Sequence, residues 1–326
     1  MHYEHVLSFA LEHPWAITPS MRSVIADILA RRIVGEGADP DAIQAALVNR
    51  KNLPQPTGGG AVAIIPIYGV IAPRMNMLSE MSGGTTFETL TAQLHEALGN
   101  KAVKTIVFDV DSPGGNAAGA TEFAREVLAA RTKKPIVAQA QHLMASAAYW
   151  PMACATQIWA SPSSHVGSIG IYAMHEDVSE ALAKLGVKRE VIAAGKFKHE
   201  AAGIGPLTDE QRTHIQSLVD SFYDSFIGDI SKGRGVAKDD VRKGFGEGRT
   251  VPAKQALALG MIDGVCTLNE TIARVTSGSS ADVAAALETA SSVDTDQEPS
   301  PATSQDRLAD SRWQERIAIE RALLDL

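Results

Sequence analysis

The 326-residue chain is poor in the residues that would staple it or anchor it. Its two cysteines, Cys154 and Cys266, are far apart and lack CxxC spacing, so neither a disulfide framework nor a thiolate metal site is expected, and a reducing compartment is implied. No stretch approaches the roughly 20 apolar residues of a membrane span. The first thirty residues carry His, Glu and Pro where a secretory leader would be apolar. Basic charge is also short. Thirty Lys and Arg stand against 38 Asp and Glu, for a formal net charge of −8, and no Lys/Arg run exceeds two, which removes the electrostatic footprint of a nucleic-acid or anionic-membrane binder. HExxH is absent, so no metal is expected, and the glycines of DSPGGN (Asp111 to Asn116) fit neither GxxxxGK[ST] nor GxGxxG, so no nucleotide cofactor is expected either.

What remains is ordinary globular composition, 45% hydrophobic and 21% charged, which permits a sizeable core. Residues 1–50 read as a small helical unit: Thr18-Pro19 and Asp39-Pro40 each place a capping residue before a helix-starting proline, and Met21, Val24, Ile25, Ile28, Leu29 and Ile33 share one helical face. Residues 51–60 (KNLPQPTGGG) read as a linker. From Ala61 strand and helix alternate. AVAIIPIYGVIA, KTIVFDVD, KPIVAQAQ, QIWA and GSIGIY are strand runs, while Thr86 to Leu98, AGATEFAREVLAAR and Ala145 to Ala155 are helical. This order predicts an α/β fold with a parallel sheet, right-handed crossovers and chemistry at the carboxyl ends of the strands.

A long helix is expected from Thr208 to about Ser231, capped by Thr208, with Asp209 and Glu210 in its first turn and an apolar edge of Phe222, Phe226 and Ile230. That edge suits either core or an oligomer contact. The domain is expected to span 61–274. After Val265 the chain loses its aromatic residues and becomes rich in Ala, Ser, Asp and Pro through Gln305; five acids and no Lys or Arg fall between Val275 and Gln305, so 275–305 reads as a disordered acidic tether. Residues 306–326 regain periodicity through Leu308, Trp313, Ile317 and Leu324, which predicts an amphipathic docking helix.

Three segments carry candidate chemistry. SPGG follows a β-branched strand; it is either a simple turn or an oxyanion hole in which the Gly114 and Gly115 amides face a developing negative charge. MASAAYW places Ser146 among small neighbours at an expected helix start, where it is either an N-cap or a nucleophile with the Ala147 amide as a further oxyanion donor. AAGKFKHE holds Lys196 and Lys198. A lysine is ordinarily a solvated charge, and it becomes a base only if desolvation lowers its affinity for the proton. A Ser–His–Asp arrangement through His142, His165, His175 or His199 is the competing constellation, although no Asp has a context that plainly orients any of these rings.

SPGG, ASxxYW, GSIGIY and GKFK followed by PLTDEQR, in that order between Ala61 and about Val265, resemble the signal peptide peptidase A family of serine peptidases (S49). The resemblance implies a ClpP/crotonase-like core, with Ser146 as nucleophile, Lys198 as general base, Ser168 orienting the lysine, and Gly114, Gly115 and Ala147 as oxyanion donors. Ala147-Ala148 replace the glycine pair common after the family's nucleophile, a change that keeps the amide donor. With no N-terminal anchor and an acidic tail, the layout is similar to the phage capsid-assembly branch. That implies a protein or peptide substrate, scaffold or capsid protein in particular, a homo-oligomer, and a place in the host cytoplasm or prohead. The alternatives are a crotonase-like acyl-CoA enzyme and a structural head protein with a vestigial site.

Overall fold

The computed structural model describes residues 14–19, 61–73, 85–175, 177–200 and 205–277. The expected stripe from Met21 to Ile33, the 51–60 linker, most of the acidic tether and the C-terminal helix lie outside these residues.

The architecture is mixed α/β around a parallel sheet, as the alternation predicts. Strands β2 (Val62–Tyr68), β5 (Thr105–Ser112) and β7 (Ile136–Ala145) run parallel, with Ile65 opposite Phe108 and Phe108 opposite Ala138. Strand β7 then forks. Its first half pairs in parallel with β8 (Gln157–Ala160), and its last three residues pair with β9 (His165–Gly167). Strand β10 (Thr250–Pro252) closes one edge antiparallel to β9, and β11 (Gly264–Val265) extends β8. Beyond the carboxyl ends of β2 and β5 lies a second small sheet in the order β1-β6-β3-β4, formed by Trp15–Ile17, Gly114–Asn116, Ile71–Ala72 and Thr85–Thr86.

Alternation along the strands divides the core between two faces. Ile106, Phe108 and Val110 enter the main cluster beneath α1 (Phe87–Gly99) and α2 (Ala120–Ala130), where the Phe108 and Phe123 rings meet edge to face with centroids 6.0 Å apart. Val107 points the other way, with Val62 and Val137, and is covered by Trp159, Leu268 and Val275.

Two of these covering residues belong to a helix absent from the sequence reading, α8 (Leu268–Thr276), in the aromatic-poor stretch after Val265 and reaching two residues past the expected domain end at 274. Its start is a complete capping box: Thr267 Oγ1 accepts from the Glu270 amide at 3.4 Å, and Glu270 accepts the Thr267 amide at 2.7 Å. Lack of aromatic residues misled the composition argument, because one aliphatic stripe and a cap suffice for a helix lying on a finished sheet. The other helices are α3 (Tyr149–Met152), α4 (Ser179–Lys184), α5 (Asp209–Arg234), α6 (Lys238–Gly244) and α7 (Ala253–Ala258). As expected, α5 starts at a capping box on Thr208 with Asp209 and Glu210 in the first turn. Its apolar edge is intramolecular: Phe226 and Ile230 are fully buried, and Phe226 stacks on Trp150 with centroids 4.3 Å apart and planes 7° from parallel. Gly233 makes that approach possible, since a Cβ there would fall 2.3 Å from the Ala153 carbonyl oxygen.

Candidate active site

Four short segments meet at the carboxyl ends of β5, β7 and β9. Pro113 breaks the ladder after β5, so the two glycines and Asn116 leave the main sheet and become β6, a strand where a simple turn was the competing expectation. Gly114 has φ +97, outside the range of ordinary side chains. At Gly115 a Cβ would overlap the backbone of Ile71 at 1.9 Å. Both glycines are therefore required by the path of the chain. Ser112 fixes the turn, donating from Oγ to the Gly69 carbonyl at 2.6 Å and accepting the Gly114 amide at 3.2 Å.

Ser146 is the first residue past β7. It has φ +56, and its amide donates to the Gly167 carbonyl at 2.6 Å, tying the end of β7 to the end of β9. The residue is 1% exposed, and its Oγ has no hydrogen-bond partner. Ser146 is not an N-cap. The helix that follows is only α3, four residues long and begun at Ala148 without a side-chain cap, far shorter than the 145–155 helix expected. So small an element has no useful dipole, and donors near Ser146 act as individual amides. Ser168 follows Gly167, shares the left-handed conformation at φ +53, and is 7% exposed; its amide donates to Arg249 O at 2.8 Å.

The Ala147 amide is already engaged. It donates to the carbonyl oxygen of Ala16 at 3.0 Å, and a Cβ on Gly114 would sit 2.3 Å from that same oxygen and 2.9 Å from Ala147 N. Ala16 is the middle residue of β1, which lies antiparallel on β6 with Ala16 opposite Gly115, and which exchanges bonds with Tyr172 on its other edge: Trp15 N to Tyr172 O at 2.9 Å and Tyr172 N to Trp15 O at 3.2 Å. The sequence reading holds no β1, and although Ser112 and Tyr172 lie in the SPGG and GSIGIY motifs, it assigns neither a role. The available signal was PWAITP, an apolar run too short for helical periodicity between two prolines.

Thus Gly114, Gly115, Ser146, Ala147 and Ser168 converge, whereas Lys198 stands apart. It lies in an exposed, irregular stretch between α4 and α5, and its amine is not within hydrogen-bond distance of Ser146 Oγ. Lys196 is bound to Glu210 at 2.8 Å and sits over the Phe197 ring. None of the four histidines reaches Ser146 Oγ either. His142 Nδ1 contacts Asp111 at 3.2 Å on the surface, and His175 Nε2 meets the Gly205 carbonyl at 2.9 Å. Beside the site, Tyr68 donates its hydroxyl to the buried Asp109 carboxylate. Burial, above all, raises the Asp109 carboxyl above its ordinary range, against the lowering effect of the Tyr68 hydrogen bond. The Tyr68 hydroxyl is raised as well, first by burial and then by Asp109. Among the described residues no group of three or more His, Cys, Asp or Glu could hold a metal, and no helix is long and apolar enough to cross a membrane.

Residues 129–282 match the family model "Peptidase family S49". Curated relatives include Capsid assembly protease C of Escherichia phage lambda, 30% identical over 54% of this chain and 40% of that protein. Head-tail preconnector protein GP5 of Enterobacteria phage P21 is 28% identical over 55% of this chain and 36% of its own length. Protease 4 of Haemophilus influenzae is 27% identical over 65% and 34%, so the chain spans well under half of each of these relatives. Among solved structures, a mutant of the 1510-N membrane-bound stomatin-specific protease with a substrate peptide aligns at TM-score 0.40 and 14% identity, covering 65% of this chain and 78% of that one.

Proposed function

Residues 129–282 form a domain of peptidase family S49, a serine-peptidase family with phage capsid-protease members, and from that premise we propose that the chain is a serine endopeptidase working through Ser146 and Lys198. The observation that carries the reading is the convergence of a buried hydroxyl in a left-handed turn with an amide one residue on that already holds a peptide carbonyl at 3.0 Å. Ser146 Oγ attacks the scissile carbonyl while Lys198 takes its proton. The Ala147 amide, with β6 alongside, receives the oxyanion. The lysine returns the proton to the departing amine, and water then resolves the ester. Gly114 supplies room for the oxygen, its own amide being bonded to Ser112.

The lysine must be brought to the serine, and the surface that carries it favours a second copy as the agent. Leu185 (77% exposed) and Ile192 (95%), with Val187, Val191 and Phe197, leave apolar surface on the Lys198 segment that water does not favour. Covering that surface in a homo-oligomer would also strip water from the amine, the condition under which lysine serves as a base. In keeping with a relative named as a capsid assembly protease, the substrate proposed is scaffold or capsid protein, and the place proposed is the host cytoplasm or the prohead. Ser146→Ala and Lys198→Ala, made separately, should each lower kcat for casein or scaffold cleavage on the order of 10⁴-fold or more with circular dichroism unchanged. Undiminished turnover in either variant would refute the assignment.

A further inference from the structure

The edge of β6 beside Ser146 is taken up by the chain itself. Residues 14–18 lie extended between β6 and Tyr172, with Trp15, Ala16 and Ile17 at most 2% exposed. Both edges of the segment are bonded. Pro14 O accepts from Ala117 N at 3.3 Å and Thr18 N donates to Pro113 O at 3.1 Å on one side, and the Trp15–Tyr172 pair closes the other. This is how a protein takes up an extended peptide, main chain for affinity and alternate side chains for fit. Only one carbonyl of the segment, that of Ala16, meets the amide next to the nucleophile, and the glycine at 114 is what lets that oxygen in.

We propose that this segment is the first substrate of the cleft and that Ser146 cuts the chain between Ala16 and Ile17. The step rests on the serine-peptidase reading above. Ser146 Oγ bonds to the Ala16 carbonyl carbon as its proton passes to the base. Collapse of the adduct breaks the Ala16 C to Ile17 N bond, and the proton goes to the Ile17 amine. One water then hydrolyses the ester, leaving a carboxylate on Ala16 and restoring the hydroxyl. Until the cut the segment keeps other peptides off β6, so self-cleavage also opens the site.

The full chain and its Ser146→Ala variant, expressed and purified alike, are incubated and followed by intact mass and N-terminal sequencing, with casein digestion in parallel. The proposal expects a new N-terminus at Ile17 in the unaltered chain, none in Ser146→Ala, and casein cleavage that rises as the Ile17 species accumulates. Casein cut by a chain whose N-terminus stays intact would overturn the self-cleavage and leave the peptidase reading standing. An Ile17 terminus appearing equally in Ser146→Ala would overturn it too, since another protease made the cut. If neither casein nor the chain is cut, both inferences fall together.

Discussion

Two serines hold left-handed backbone, Ser146 at φ +56 and Ser168 at φ +53, a conformation that costs a non-glycine residue about 1–3 kcal/mol and persists where its surroundings impose it. Here the Ser146 amide bonded to Gly167 and the Ser168 amide bonded to Arg249 impose it. A third residue near the site is held at a cost of another kind. Asp109 is 5% exposed, one of its carboxylate oxygens has no partner, and burial raises its proton affinity. A carboxyl raised in the fold contributes stability that is complete below its unfolded value and is lost as pH climbs through the folded one. Asp109→Asn removes that loss and keeps an acceptor for Tyr68. Its melting temperature relative to the parent chain should therefore rise with pH from about 4 upward and then level off; Tyr68, Asp111 and His142 are the titrating neighbours to control for. A difference that shrinks with pH would contradict the assignment. The residues converging at the site were legible because glycine, serine and small neighbours leave a local trace. Ser112 and Tyr172 stood inside the SPGG and GSIGIY motifs, but their roles did not show, since the Gly69 carbonyl and β1 that they bond are distant in sequence.

Among the elements, long and well-capped ones were readable and short ones were not. Thr208, two acids and a periodic apolar edge announced α5, and the buried half of that edge is where stability concentrates. Phe226→Ala removes a fully buried ring stacked on Trp150 and should cost about 3–5 kcal/mol in urea unfolding. A cost under ~1 kcal/mol would mean that α5 is not anchored there. By contrast, β1 has three residues and its pairing partner lies about a hundred positions away, so local pattern could not reveal it. The helix expected after Ser146 shrank to α3 because the turn that presents the serine uses up the residues that would have begun it. Helix α8 was missed for a different reason. Scarcity of aromatic residues is a property of a whole segment, whereas a cap and two aliphatic residues on the sheet decide nine residues.

For the molecule as a whole, strand and helix alternation foretold the parallel sheet, and the candidate site lies beyond carboxyl ends of strands, where that fold class leads one to look. In the structure Lys198 stands apart from Ser146, so the proposed dyad needs a further agent, and a second copy is the one proposed. If a neighbouring copy supplies the lysine, mixing Ser146→Ala chains with Lys198→Ala chains should restore cleavage in the mixture, since some interfaces then pair an intact serine with an intact lysine. A mixture as inactive as its components would place both groups in one chain.

Labelling with a fluorophosphonate, followed by peptide mapping of the incubated full-length chain, bears most directly on the central claim that Ser146 is a nucleophile activated by Lys198. The account predicts one modified residue, Ser146, with labelling abolished in Ser146→Ala and slowed at least tenfold in Lys198→Ala. A label on any other serine, or a rate indifferent to the loss of Lys198, would contradict it.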